Sequence, residues 1–170
     1  IMLALVDGDI VAYRCSASAE HEPENIAILR IDSMMREILQ MTESDEYICF
    51  LTGQNNFRYD IYPEYKANRK DKPKPVHLQA CRDYLVEAWN AEISDGCEAD
   101  DLIGIAATNC EDPMAFIICS IDKDLKMIAG NHYNFVTKER VFVSPLDGLR
   151  SFYKQLILGD VSDNIPGFRS

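Results

Sequence analysis

Four short segments place carboxylates close together in a pattern that suits chemistry on phosphate. They are Asp7-Gly8-Asp9, Glu98-Ala99-Asp100-Asp101, Asp122-Lys123-Asp124 and Gly159-Asp160-Val161-Ser162-Asp163-Asn164. Crowded carboxylates repel one another and raise each other's pKa unless cations compensate. Hard divalent ions such as Mg2+ and Mn2+ prefer such oxygen ligands. Two ions about 4 Å apart can activate a water and stabilise a departing oxygen in phosphodiester cleavage, which gives so many acids a use. Each group alone has an ordinary explanation. Asp7 could cap a following helix, Glu98, Asp100 and Asp101 suit the positive end of another, and Asp163-Asn164 ahead of Pro166-Gly167 could be a turn. Four such groups in one chain call for a shared cause.

A second chemical feature is the polar stretch Asn55–Pro75. It carries Arg58, then Tyr62-Pro63-Glu64-Tyr65-Lys66-Ala67-Asn68-Arg69, then Lys70, Lys72 and Lys74. Aromatic rings can stack on unpaired bases while Lys and Arg neutralise a nucleic-acid backbone, so Arg58, Tyr65, Lys66, Arg69, Lys70 and Lys72 are candidate nucleic-acid contacts. The alternative is a solvated basic loop, and the prolines mark it as a long connection.

The elements that must position these groups follow from apolar patterning. Apolar runs predict strands at Leu3–Val6, Tyr47–Thr52, Ala91–Ser94, Ala115–Ser120, Tyr133–Val136 and Val141–Val143. Helical spacing predicts helices over Asn25–Met41 and Pro75–Trp89, with two more over Glu98–Cys110 and Leu146–Leu158. Alternating strands and helices imply an α/β fold with a mostly parallel sheet flanked by helices. In such a sheet the crevice lies beyond the carboxyl ends of the strands, where Asp7, the Ser94–Asp101 segment and the Ser120–Asp124 segment all emerge. Convergence there is the expectation.

Bulk properties bound the reading. A chain of 170 residues, 47% of them hydrophobic, can bury a core as one domain, taken as residues 1–170. No apolar run approaches the ~20 residues of a membrane span, and Ile1–Val6 meets Asp7 too soon to serve as a secretory leader. The six cysteines are scattered with no C-x-x-C pair, so they read as buried free thiols in a reducing, cytoplasmic setting. With 17 basic against 28 acidic residues the net charge is −11, which opposes simple electrostatic binding of nucleic acid. Bound cations that neutralise the acids would remove that objection.

Five segments together carry a family resemblance. Asp7-Gly8-Asp9, Tyr65-Lys66-Ala67-Asn68-Arg69, Glu98-Ala99-Asp100-Asp101-Leu102-Ile103-Gly104, Ser120-Ile121-Asp122-Lys123-Asp124-Leu125 and Gly159-Asp160-Val161-Ser162-Asp163-Asn164-Ile165-Pro166-Gly167 occur in that order across nearly the whole chain. The pattern resembles the 5′→3′ exonuclease and flap endonuclease family, with its PIN-like nuclease domain. The resemblance implies that Asp7, Glu98 and Asp100 hold one metal with Asp101 close by, and that Asp122, Asp124, Asp160 and Asp163 surround a second. It further implies Mg2+ or Mn2+ as cofactor, and Lys66 and Arg69 as catalytic cations reaching the scissile phosphate from the base of a helical arch over about Asn68–Ala80. Lys123 would support the carboxylates rather than act as a base.

The implied substrate is DNA with a 5′ single-stranded end, flap or nick, or an RNA–DNA hybrid, cut by a monomer away from any membrane. Two departures stand out. Relatives carry an acid just after the second strand, where this chain reads Leu51-Thr52-Gly53, and they continue past Ser170 into a helix–hairpin–helix element that grips duplex DNA. Two other readings compete. A haloacid-dehalogenase-like phosphatase would use Asp7 and Asp9 as nucleophile and acid, and a non-catalytic PIN-like domain would only bind nucleic acid.

Overall fold

Apolar side chains line both faces of β1 (Leu3–Asp7), the strand that ends on the first acidic group. Ala4 and Val6 point to one side and Leu5 to the other, all three fully buried. A strand covered on both faces belongs in the middle of a helix-flanked parallel sheet. The computed structural model, which describes residues 2–53 and 74–145, places it there. Among the described residues the sheet has six strands in the order β3-β2-β1-β4-β5-β6. The others are β2 (Glu46–Leu51), β3 (Glu92–Ile93), β4 (Phe116–Cys119), β5 (Gly130–Asn134) and β6 (Glu139–Val143). All neighbours pair in parallel except β5 and β6, which form an antiparallel hairpin.

Helices α1 (Gly8–Ser18), α2 (Glu24–Met41) and α3 (Leu78–Trp89) cover one face. On α2 the buried stripe is Ala27, Ile31, Met35 and Ile38, the three- and four-residue spacing of one helical face. Each fully buried large side chain in that stripe stabilises the layer by about 1.5–3 kcal/mol. Helix α4 (Ala99–Asn109) covers the opposite face, where Ile103 and Ala107 meet Leu5, Phe50, Phe116 and Ile118. A 3-10 turn over Lys123–Met127 adds Leu125 to that second core.

The α/β class and the mostly parallel sheet are as expected, with local differences. Helix α1 was not legible as a periodic stretch, because its buried residues are Gly8, Val11, Ala12, Cys15 and Ser16. Small side chains let it lie close to the sheet and leave little hydrophobic contrast. At Gly8 a Cβ would meet the Phe50 carbonyl oxygen at 2.6 Å, so only glycine fits that approach. Strand β5 runs Gly130–Asn134 rather than Tyr133–Val136, since its polar Asn131 and His132 are buried and read from sequence as loop. The Asn134 side chain instead accepts the Val136 and Thr137 amides at 2.9 and 3.0 Å and turns the chain into β6. The helix expected over Leu146–Leu158 lies outside the described residues. Among the described residues no helix is long and apolar enough to cross a membrane.

Candidate metal centre

The strand order reverses between β1 and β4, because the chain moves from β1 toward β2 and β3 on one side and returns to β4 on the other. A crevice opens beyond the carboxyl ends of such a pair. Asp7 is the last residue of β1 and is only 3% exposed. It stands at the N-cap of α1 without a side-chain capping hydrogen bond of good geometry. Its Oδ2 accepts the Ser120 hydroxyl at 2.9 Å, and that hydroxyl also accepts the Asp122 amide at 3.1 Å. Ser120 therefore ties the end of β1 to the acidic turn after β4. Oδ1 of Asp7 is buried with no hydrogen-bond partner among the described residues.

Asp100 enters the same space from the first turn of α4. Its carboxyl lies against that of Asp122. Burial, then the charge of Asp7, then that contact with Asp122, push Asp100 up to about 10. Burial first and neighbouring Asp9 second push Asp7 up to about 7. The crevice thus retains protons that a cation would displace.

The remaining expected acids divide by role. Asp101 accepts the Glu98 amide at 3.0 Å as half of a capping box, so the ordinary helix-end explanation accounts for one of its oxygens. Glu98 is buried at the N-cap, close enough for its charge to act on Asp100. Asp122 caps the 3-10 turn by accepting the Asp124 amide at 2.9 Å. Asp160, Asp163 and the cations Arg58, Lys66, Arg69, Lys70 and Lys72, together with Tyr65, lie outside the described residues. Among the described residues no three Asp, Glu, His or Cys side chains are grouped so that they could hold a metal ion by themselves. The donor set nevertheless suits a hard divalent ion: Asp7 offers an unpartnered buried oxygen, and Asp100 and Asp122 bring adjacent carboxyls to the same crevice.

Sequence reasoning missed Arg82 and gave Asp9 and Thr52 no part in each other's placement. Asp9 accepts the Thr52 amide at 3.0 Å and the Arg82 guanidinium at 2.9 Å on one oxygen, and the Thr52 hydroxyl on the other. Where an acid was expected at position 52, a threonine holds the carboxylate of Asp9 instead. Its hydroxyl also accepts the Ala99 amide at 3.0 Å, joining the end of β2 to the start of α4. Only the acid in Asp7-Gly8-Asp9 gave a hint, since a lone arginine on a polar helix face carries no distinctive signal. Beside Asp122, on the β4–β6 side, lies a cavity of about 260 Å3 whose lining includes Lys123, Lys126 and Arg140. The six cysteines are unbridged; Cys15, Cys49, Cys81 and Cys119 are buried as expected, whereas Cys97 and Cys110 are only half-buried.

Over residues 2–151 the sequence matches the family described as 5'-3' exonuclease, N-terminal resolvase-like domain. The chain belongs to this family. Among curated relatives, DNA polymerase I of Bacillus caldotenax is 30% identical over 191 aligned residues, covering 97% of this chain and 21% of that protein. The 5'-3' exonuclease of Mycoplasma pneumoniae is 30% identical over 193 residues, covering 97% of this chain and 66% of that protein. This family member therefore spans about a fifth of the polymerase relative and about two thirds of the exonuclease. Among solved structures, a bacteriophage T5 protein co-crystallised with metal ions superposes with a TM-score of 0.73 at 19% identity, over 98% of this chain and 69% of that one. A T5 flap endonuclease in a pseudo-enzyme-product complex with DNA and metal ions gives 0.72 at 18% identity, over 98% and 70%. These likenesses establish a shared fold.

Proposed function

We propose that this family member is the divalent-metal-dependent catalytic core of a 5′ nuclease that hydrolyses DNA phosphodiesters as an exonuclease or flap endonuclease. The observation that carries the reading is the buried, unpartnered Oδ1 of Asp7 in one crevice with Asp100 and Asp122 at the sheet's switch point. Mg2+ or Mn2+ fits these oxygens, and two ions account for the number of acids. Asp7, Glu98 and Asp100 would hold one, with Asp101 supporting the helix end. Asp122, Asp124, Asp160 and Asp163 would hold the other. When bound, the cations supply a polarised water and charge stabilisation at the leaving oxygen.

The chain's own residues do the rest. Ser120 orients Asp7 and steadies the Asp122 turn through one hydroxyl. Lys66 and Arg69 would bind the scissile phosphate and stabilise its developing charge. Tyr65, Arg58, Lys70 and Lys72 would guide the 5′ strand toward them by stacking and backbone contacts. Such backbone-directed contacts accommodate an RNA–DNA hybrid as well as DNA, and a monomer suffices. Six free thiols suit a reducing compartment such as the cytoplasm.

The phosphatase reading requires Asp9 as a free acid, whereas both its oxygens accept hydrogen bonds and one meets Arg82. The test is incubation of the full chain with a 5′-flapped and a nicked duplex. Cleavage with Mg2+ or Mn2+ and its loss with a chelator are expected. Metal-independent cleavage, or phosphate release from monoesters without strand scission, would overturn the proposal.

A further inference from the structure

Arg82 reaches the acidic crevice from a helix outside it. It lies on α3, its side chain 23% exposed, and its guanidinium forks across two elements. One nitrogen pairs with Asp9 Oδ1 at 2.9 Å, and the other donates to the Thr52 carbonyl oxygen. Asp9 sits on the first turn of α1, two residues from Asp7, and its charge acts on Asp7. Thr52 in turn holds Asp9 by its amide and hydroxyl, while that hydroxyl accepts the Ala99 amide next to Asp100. One arginine thus joins α3, α1, the end of β2 and the start of α4. The planar fork of arginine is suited to bridging two acceptors.

We propose that Arg82 is a positioning residue that keeps Asp9 docked on Thr52 and, by neutralising it, sets the net charge that a divalent cation meets at Asp7, Asp100 and Asp122. The inference rests on the metal reading above. With Arg82 in place Asp9 is committed to protein donors and adds little attraction for the cation. Without it Asp9 carries an unbalanced charge beside Asp7 and is held by Thr52 alone. Removing Arg82 therefore strengthens metal binding while loosening the geometry around Ala99 and Asp100. A merely structural arginine would do the opposite, weakening metal binding and activity together.

The experiment is calorimetric titration of the full chain with Mn2+ at low salt, with thermal denaturation as a check of folding. Arg82→Met is expected to bind Mn2+ roughly tenfold more tightly, and Asp9→Asn, which keeps the shape of the acid without its charge, roughly tenfold more weakly. The double variant should return to near the affinity of the unaltered chain, and all differences should shrink at high salt. Arg82→Lys, which keeps the charge and loses the fork, should retain the unaltered Mn2+ affinity yet show a lower kcat on a flapped duplex with KM little changed. Unchanged or weaker binding by Arg82→Met overturns the proposal. Should Arg82→Met fail to fold, unchanged binding by Asp9→Asn overturns it equally. No Mn2+ binding by the unaltered chain would instead overturn the metal reading, a result distinct from an affinity that ignores Arg82 and Asp9.

Discussion

Asp122 joins three contacts in one short segment. It meets Asp100, caps the 3-10 turn through the Asp124 amide, and is linked to Asp7 through Ser120. The Ser120 link uses the backbone amide of Asp122 and survives truncation of the side chain, whereas losing the cap costs about 1 kcal/mol. We expect Asp122→Ala combined with Asp124→Ala to leave a folded protein, seen by circular dichroism, with cleavage of a flapped duplex abolished. Turnover equal to the unaltered chain would refute the metal role given to this pair. The convergence of Asp7, Asp100 and Asp122 was legible in sequence because each follows a strand end or opens a helix at one edge of the sheet. Their partners were not: Ser120, Thr52 and Arg82 are ordinary residues whose importance comes only from what they touch.

At the scale of elements, the three-helix layer is stapled by a polar contact. Asp32 on α2 accepts the Tyr84 hydroxyl at 2.9 and 2.8 Å and the Trp89 indole at 3.1 Å, both from α3. Trp89 also packs edge-on against Tyr47 of β2, with ring centroids 5.5 Å apart. Since α3 carries Arg82, this staple also helps fix the helix that reaches the crevice. Hydrogen bonds to a charged group contribute about 1.5–3 kcal/mol, so Asp32→Ala should destabilise the fold by about 2 kcal/mol in urea denaturation. A change within about 0.5 kcal/mol would show that the staple contributes little beyond the apolar packing. Helices α2 and α3 were legible from their spacing. Helix α1 and the polar strand β5 were not, because burial there falls on small or polar side chains that need tertiary partners to reveal their place.

For the whole molecule, burial of carboxylates links stability to pH and to metal. Asp7 is raised from an ordinary 3.8 to about 7, so the folded state holds its proton longer than the unfolded chain does. Its contribution is fully present below about pH 4 and is lost as pH rises through about 7, since stability falls wherever the folded state binds more protons. Asp100 shifts in the same direction. Metal-free protein should therefore melt several degrees higher at about pH 5 than at about pH 7.5, and Mg2+ should restore much of the difference at the higher pH while releasing protons. Melting temperatures with and without Mg2+ at the two pH values check this. A metal-free melting temperature that rises between them would contradict the burial of these acids.

By itself the sequence determined the family and the class of fold. Five ordered motifs named the family, strand and helix patterning predicted a parallel sheet, and strand ends predicted where acids would gather. These are local properties, set by residue type and by the periods of helix and strand. Tertiary structure alone decided the rest: that Asp7 is buried with one oxygen unpartnered, that Asp101 serves a helix end, and that Asp9 is bound by Thr52 and Arg82 rather than left free. The partners of Asp9 lie 43 and 73 positions away, and no local pattern encodes a contact made only when separate elements pack together.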